Sequence, residues 1–297
     1  MRRDIEFRTE DGVTLRGWHY LAEGVKGPAP TVVMAHGFTA TREIFLDDFA
    51  EVFAAAGLGV IVYDHRNFGV SDGEPRGHVD PREQIDGYRD AITFAQTLPE
   101  VDANRIGIWG SSYAGGHVLV VGAIDRRVKC VVSQVPLTYG LETARRLVRG
   151  DTWVGLRAAF DADRAARMKG EAGARMPVTA PEGQPSALPT ADTYAFFTGF
   201  EKTHETNWKN ECTLQSIELF TEYEPATYIA RIAPTPLLVV VAAGDHLTPF
   251  DLTARAFEEA LEPKKLLVLP GGHFEAYTGE PFRISSAAQR DWFKSHL

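Results

Sequence analysis

Gly110-Ser111-Ser112-Tyr113-Ala114-Gly115-Gly116 follows the apolar run Arg105-Ile106-Gly107-Ile108-Trp109 and leads into Val118-Leu119-Val120-Val121. A short strand, a turn of small residues and a helix start make up the setting of a nucleophile elbow. There the chain turns so tightly that positions two before and two after the nucleophile must be small. Ser112 has Gly110 and Ala114 at those positions, whereas Ser111 would have Trp109 at minus two. Ser112 is therefore the candidate and Ser111 fills the variable position. Small-Xaa-Ser-Xaa-small also describes an ordinary strand-to-helix loop with an incidental serine. What separates the two readings is whether an acid and a histidine follow, each just after a strand.

Both follow. Pro236-Leu237-Leu238-Val239-Val240-Val241-Ala242-Ala243 reads as a buried parallel strand and ends in Gly244-Asp245-His246. Leu266-Leu267-Val268-Leu269 reads as another and ends in Pro270-Gly271-Gly272-His273. A serine hydroxyl is a weak nucleophile near neutral pH and needs a base within reach. His273 suits that role, and Asp245 would fix its tautomer and stabilise its protonated form. On this reading activity rises with pH through one ionisation in the histidine range, because a protonated imidazole cannot accept the serine proton. An oxyanion hole is also required, and two backbone N–H groups are its candidates. One is that of Tyr113. The other is that of Phe38, in Thr31-Val32-Val33-Met34-Ala35-His36-Gly37-Phe38, where Gly37 lets the backbone come close.

The rival residues have other readings. His246 reads as a surface histidine, His36 as a brace of the loop backbone, and His117 as a packed helix residue. His65 and His78 fall in a loop and read as solvated. Asp64 follows Val60-Ile61-Val62-Tyr63 and is the rival acid, but it precedes the serine and is read as bracing Arg66-Asn67-Phe68-Gly69. Val128–Val135 ends in Pro136 with no carboxylate until Glu142, so Asp245 keeps the role.

Around these residues, Ile5–Arg8 and Val13–Leu21 form a hairpin pattern about Asp11-Gly12. Phe45, Leu46, Phe49, Val52, Phe53 and Ala56 make one helical stripe, stopped at Gly57. Ile85, Tyr88, Ile92, Ala95 and Leu98 make another after Pro81. Thr248-Pro249 reads as a helix N-cap with proline in the first turn, and a C-terminal helix carries Trp292-Phe293. The alternation predicts an α/β fold, a mostly parallel twisted sheet flanked by helices, built from residues 1–140 and 233–297. Residues 141–232 show no buried strand and read as a helical cap inserted above the active-site end of the sheet. Cys212 is placed in a polar helical stretch there, and Gly170–Pro189 is expected to be mobile and open to proteolysis. Trp153, Phe160, Tyr194, Phe196, Phe197, Phe200 and Trp208 are divided between the core of the cap and an apolar acyl pocket in a way that pattern does not sort.

The chain has 297 residues, 44% of them hydrophobic, enough for one large domain with an insertion. A formal net charge of −9 without a basic cluster argues against nucleic acid, and no run is long enough to span a membrane. The two cysteines fit no disulfide framework or metal spacing, and the N-terminus has no apolar signal core, so a cytoplasmic protein is expected. No motif asks for a cofactor or metal. The expected partner is a small-molecule acyl substrate, and the sequence leaves room for a homodimer.

His36-Gly37-Phe38, Asp64-His65-Arg66-Asn67-Phe68-Gly69-Val70-Ser71-Asp72-Gly73, the Ser112 elbow, Asp245-His246-Leu247-Thr248-Pro249 and Gly271-Gly272-His273-Phe274 together resemble α/β-hydrolases along the whole chain. More closely, the chain is similar to dienelactone-hydrolase-like and X-Pro-peptidase-like hydrolases and to the polyketide transferase or thiohydrolase group. It has Ser112 where dienelactone hydrolases use cysteine. The resemblance implies acyl transfer through a serine ester, with Ser112, Asp245 and His273 as the triad and an ester, thioester or amide as substrate. The acceptor would be water or, in a biosynthetic acyltransferase or thioesterase, another nucleophile. The same fold also hosts ligand receptors with little turnover.

Overall fold

A computed structural model describes residues 1–297. In chain order it contains β1 (Arg2–Arg8), β2 (Thr14–Tyr20), β3 (Ala29–Ala35), α1 (Leu46–Ala55), β4 (Gly59–Tyr63), α2 (Pro81–Ala95), β5 (Val101–Ser111), α3 (Tyr113–Ile124) and β6 (Val128–Gln134). After these come α4 (Gly140–Leu147), α5 (Trp153–Met168), β7 (Arg175–Met176), α6 (Ala191–Thr203), β8 (Cys212–Thr213), α7 (Leu214–Glu222) and a 3₁₀ turn at Pro225–Arg231. The chain ends with β9 (Leu237–Ala242), α8 (Phe250–Glu259), β10 (Lys264–Leu269) and α9 (Gly279–His296).

Eight strands form one sheet in the order β1-β2-β4-β3-β5-β6-β9-β10. The β1–β2 hairpin is antiparallel, β2 meets β4 antiparallel, and every remaining pair is parallel. Successive strand residues face opposite sides. Val33, Ile61, Ile108, Val131 and Val239 pack on the side of α2 and α3. Val32, Val62, Trp109, Val132 and Val240 pack on the side of α1 and α9, against Phe49, Phe53 and Phe293. Two covered faces explain why these strands are continuous apolar runs rather than alternating ones. The ends of α1 and α2 also follow their chemistry. Gly57, at φ +87°, lies just beyond α1, and the Asp80 side chain accepts from the N–H groups of Arg82 and Glu83 ahead of Pro81.

Between β6 and β9 the helices α4–α7 lie outside the main sheet. One detail there departs from the sequence reading: β7 and β8 pair antiparallel, so Cys212 is a buried strand residue rather than a helical one. The proline-rich segment departs as well. Ala187 N–H donates to Pro177 O and Leu188 N–H to Val178 O, which folds residues 177–188 back on themselves. Val178, Thr179 and Leu188 are buried, while within residues 170–189 continuous exposed stretches remain at 170–172 and 181–185. Prolines excluded a helix but not packing, because a doubled-back strap buries its apolar residues without one. No helix is long and apolar enough to cross a membrane.

Candidate active site

Ser112 follows the last residue of β5 and caps α3, at φ 60° and ψ −119°. For a residue with a side chain this conformation stores on the order of 1–3 kcal/mol, which the surroundings must hold in place. They do so by hydrogen bonds on both sides of the peptide. Ser112 N–H donates to Gln134 O at 2.9 Å, and Leu137 N–H donates to Ser112 O at 3.0 Å. The small neighbours are required by contact. A Cβ on Gly110 would lie 2.2 Å from Ala114 O, and one on Gly37 would lie 3.0 Å from both Ser111 O and Ser112 Cβ. The Gly37-Phe38 loop therefore runs directly against the elbow.

Ser112 Oγ lies 3.1 Å from His273 Nε2, and His273 Nδ1 lies 2.8 Å from Asp245 Oδ2. The structure thus joins the three sequence candidates in one hydrogen-bonded chain. Asp245 sits in an Asx-type turn in which Oδ1 accepts from Leu247 N–H at 2.8 Å and Thr248 N–H at 2.7 Å. Its other oxygen faces the imidazole. Asp245 and His273 are buried, while Ser112 is partly exposed. With Asp245 as acceptor, the His273 proton sits on Nδ1 and leaves Nε2 free to accept from the serine.

Thr248 is not the N-cap that the Thr-Pro pattern predicts. Pro249 occupies that position without a side-chain cap, and the Thr248 hydroxyl lies 2.9 Å from both Asp245 Oδ2 and Val135 O and 3.2 Å from His273 Nδ1. A carboxylate three residues earlier outcompetes the helix N–H groups for that hydroxyl. The spacing Asp-Xaa-Xaa-Thr is the signal that could have pointed to it.

Ser111 is fully buried, its hydroxyl bonded to the Tyr277 hydroxyl and 3.3 Å from Gln134 Nε2. Gln134 in turn accepts from Ser285 and from Gln289 Nε2, and Gln289 accepts from Trp109 Nε1. A polar network thereby ties α9 to the strand beneath the elbow. Tyr88 supplies a second tie, since its hydroxyl accepts from Ala35 N–H and donates to Trp109 O, joining the ends of β3 and β5. These residues were not legible as site supports because their partners lie far away in sequence.

Among the rivals, His36 braces its loop as read: Nε2 accepts from His65 N–H, so Nδ1 carries the proton donated to Gly37 O. Its burial pushes its pKa down to about 4. His117 is buried between Tyr223 and Gln84, and burial takes it to about 3. His65 and His78 are buried rather than solvated. His65 packs edge-on against His36, Tyr63 and His117, and burial holds it well below the usual histidine range. His246 is exposed. Asp64 accepts from Arg42 Nη1 and Arg42 N–H, both at 2.7 Å, and from Val70 N–H at 3.2 Å. It is spent on that clamp and does not reach a histidine.

Two clefts meet at Ser112. The first, about 40 Å³, includes His273, Phe196, Phe197, Phe274 and Tyr277 in its wall. The second, about 10 Å³, includes Tyr113, Leu137, Phe220 and Thr248. Phe38, Leu188 and Leu247 border both. Of the aromatic residues that pattern left unsorted, Phe196 and Phe197 line the site, Phe160, Phe200 and Trp208 are core, and Tyr194 is exposed. No group of three or more His, Cys, Asp or Glu side chains is arranged to hold a metal ion.

Residues 30–280 match the family model described as the alpha/beta hydrolase fold. The chain belongs to the α/β-hydrolase family. This α/β-hydrolase is 31% identical over 298 residues to a thiohydrolase of Eupenicillium brefeldianum, covering 99% of this chain and 94% of that one. It is 32% identical over 265 residues to the quorum-quenching protein AidA of Acinetobacter baumannii, covering 89% and 86%. Among solved structures it superimposes on the α/β-hydrolase GrgF from Penicillium with a TM-score of 0.87, 29% identity and coverage of 100% and 99%.

Proposed function

We propose that this α/β-hydrolase cleaves a carboxylic ester, thioester or amide through an acyl-enzyme on Ser112. The observation that carries the reading is the hydrogen-bonded chain Asp245–His273–Ser112 on a strained elbow. Ser112 Oγ attacks the carbonyl carbon as its proton passes to His273 Nε2. The bond to the leaving group then breaks, and His273 returns the proton to the departing oxygen, sulfur or nitrogen. Water attacks the acyl-enzyme by the same route in reverse and releases the acid.

Charge on the carbonyl oxygen would be received by the N–H groups of Phe38 and Tyr113. Phe38 N–H makes no bond within the protein, and Tyr113 opens α3, where an N–H has no intrahelical acceptor. Residues 141–232 act as the cap: α6 and α7 supply Phe196, Phe197 and Phe220 to the clefts over Ser112. Acyl transfer to an acceptor other than water is the second reading, favoured by the 31% identity to two proteins named polyketide transferases, from Stachybotrys chlorohalonatus and Penicillium. Both cysteines are unpaired and buried, in keeping with a reducing, cytoplasmic location.

The test is fluorophosphonate labelling with the modified peptide located by mass spectrometry. Labelling confined to Ser112, lost in Ser112→Ala and kept in Ser111→Ala, is expected. A folded protein that takes no label, or takes it elsewhere, would overturn the reading and favour a ligand receptor.

A further inference from the structure

We propose that the two clefts at Ser112 divide the substrate, the closed one taking a short acyl group and the aromatic one a bulky, flat leaving group. The inference rests on the acyl-enzyme reading and adds which side of the substrate goes where. Its basis is the position of His273. The group that departs must lie within reach of the imidazole that protonates it. His273 borders the aromatic cleft and not the other. The leaving group therefore occupies the aromatic cleft, and the acyl substituent, on the opposite side of the carbonyl carbon, points into the closed one.

The walls match this division. Gly37, Ala40, Phe196 and Phe274 are only half-buried, so the aromatic cleft opens outward and can admit and release a large group. Phe274 stacks on Phe196 with ring centroids 4.2 Å apart, presenting flat apolar faces that suit an aromatic or extended apolar partner. In the second cleft every residue but Ser112 is buried. Its space, about 10 Å³, is roughly that of one water molecule, enough for a methyl group but not for a chain. The floor is Phe220 of α7, stacked on Tyr113 at 5.7 Å and edge-on to Phe38 at 5.8 Å. Those are the two residues whose backbone N–H groups face the oxyanion, so the acyl limit is held by the same contacts that hold the oxyanion loop. Leu188, on the doubled-back strap, borders both clefts, as do Phe38 and Leu247.

The experiment begins with the unaltered protein and a series of p-nitrophenyl esters, which vary the acyl chain under one leaving group. kcat/KM should be highest for acetate and fall with chain length, each methylene without room costing on the order of tenfold at first. Octanoate hydrolysed as well as acetate would overturn the assignment. Phe220→Leu should raise the octanoate-to-acetate ratio about tenfold. Leu137→Ala, on the core side of the same wall, asks the same question should the first variant not fold. Phe196→Ala should instead lower 1-naphthyl acetate relative to ethyl acetate. If the Phe220 and Phe196 variants exchange these effects, the two arms are the reverse of what is proposed. If no ester leaves an acyl group on Ser112 by mass spectrometry, the hydrolase reading itself fails and this inference falls with it.

Discussion

Asp64 and Asp245 are both buried aspartates just beyond the ends of parallel strands, yet they do opposite work. Asp64, after β4, meets the Arg42 guanidinium, the Arg42 N–H and the Val70 N–H. Its accepting capacity is used up inside the protein, and Arg42 is further held over the Trp18 ring at 4.3 Å. Asp245, after β9, has one oxygen satisfied by two backbone N–H groups and keeps the other for His273 and Thr248. A strand end supplies a carboxylate in either case. On the acyl-enzyme reading, what makes one structural and the other chemical is whether the facing partner carries a permanent charge or a proton it can exchange.

Substituting each aspartate by its neutral amide separates the two roles. Asp245→Asn should leave the fold intact and cut kcat for ester hydrolysis about 10⁴-fold, since the amide favours the wrong imidazole tautomer. A loss smaller than about tenfold would place the orienting group elsewhere. Asp64→Asn should do the reverse. It leaves Arg42 buried without a counter-charge, at a cost of about 3 kcal/mol or more of stability, read as a lower urea midpoint. Ser112 should still take a fluorophosphonate in the folded fraction. Loss of labelling in a folded Asp64→Asn protein would erase the distinction.

Titration sharpens the comparison. Burial raises the Asp64 carboxyl to about 6, above its unfolded value, so the stability this group contributes is present below about pH 4 and fades as pH rises through 6. His36 and His117 run the other way. Their folded values, about 4 and about 3, lie below the unfolded value, so their contribution is present above about pH 6.5 and is lost as pH falls. His65 and His19, both lowered by burial, act in the same direction, and together the histidines outweigh one aspartate. Between pH 6.5 and 4 the protein should therefore lose stability, by about 1.4 kcal/mol per pH unit for each histidine that the aspartate does not offset. Urea midpoints at pH 7 and pH 5 would measure it, and a higher midpoint at pH 5 would contradict it. The smallest effect is expected from Thr248→Val, which removes one hydroxyl from the Asp245 side. It should lower kcat about tenfold, the worth of one hydrogen bond to a charged group, with KM little changed. An unaltered kcat would reduce Thr248 to a loop support.

The two aspartates also show how far sequence carries. Apolar runs, their alternation with helical stripes, and the small residues flanking Ser112 are local properties, and the main sheet and the three residues joined at its edge were legible from them. Thr248 is not legible, because Thr-Pro looks the same whether its hydroxyl caps a helix or turns to a carboxylate. His65 follows a strand into a loop, the setting of a solvated residue, and only the packing of His36, Tyr63 and His117 around it shows otherwise. The strap at 177–188 carries the composition of an open loop, but two backbone hydrogen bonds fold it closed. For His65 the deciding partners His36 and His117 are distant along the chain, whereas for Thr248 and the strap they lie close by, and what pattern lacks is the direction in which a side chain or a backbone turns.

The network from Gln134 to α9 bears on how the molecule is made. A ribosome delivers the chain in order, so Gln134 emerges roughly 150 residues, and Ser112 earlier still, before Ser285 and Gln289, which complete the bonds at the Gln134 side chain. Until then the strand below the elbow carries an unsatisfied buried amide, and His273 has not yet arrived. On the acyl-enzyme reading, the elbow thus stays inert until β10 and α9 have followed it out, and rigidity and reactivity arrive together.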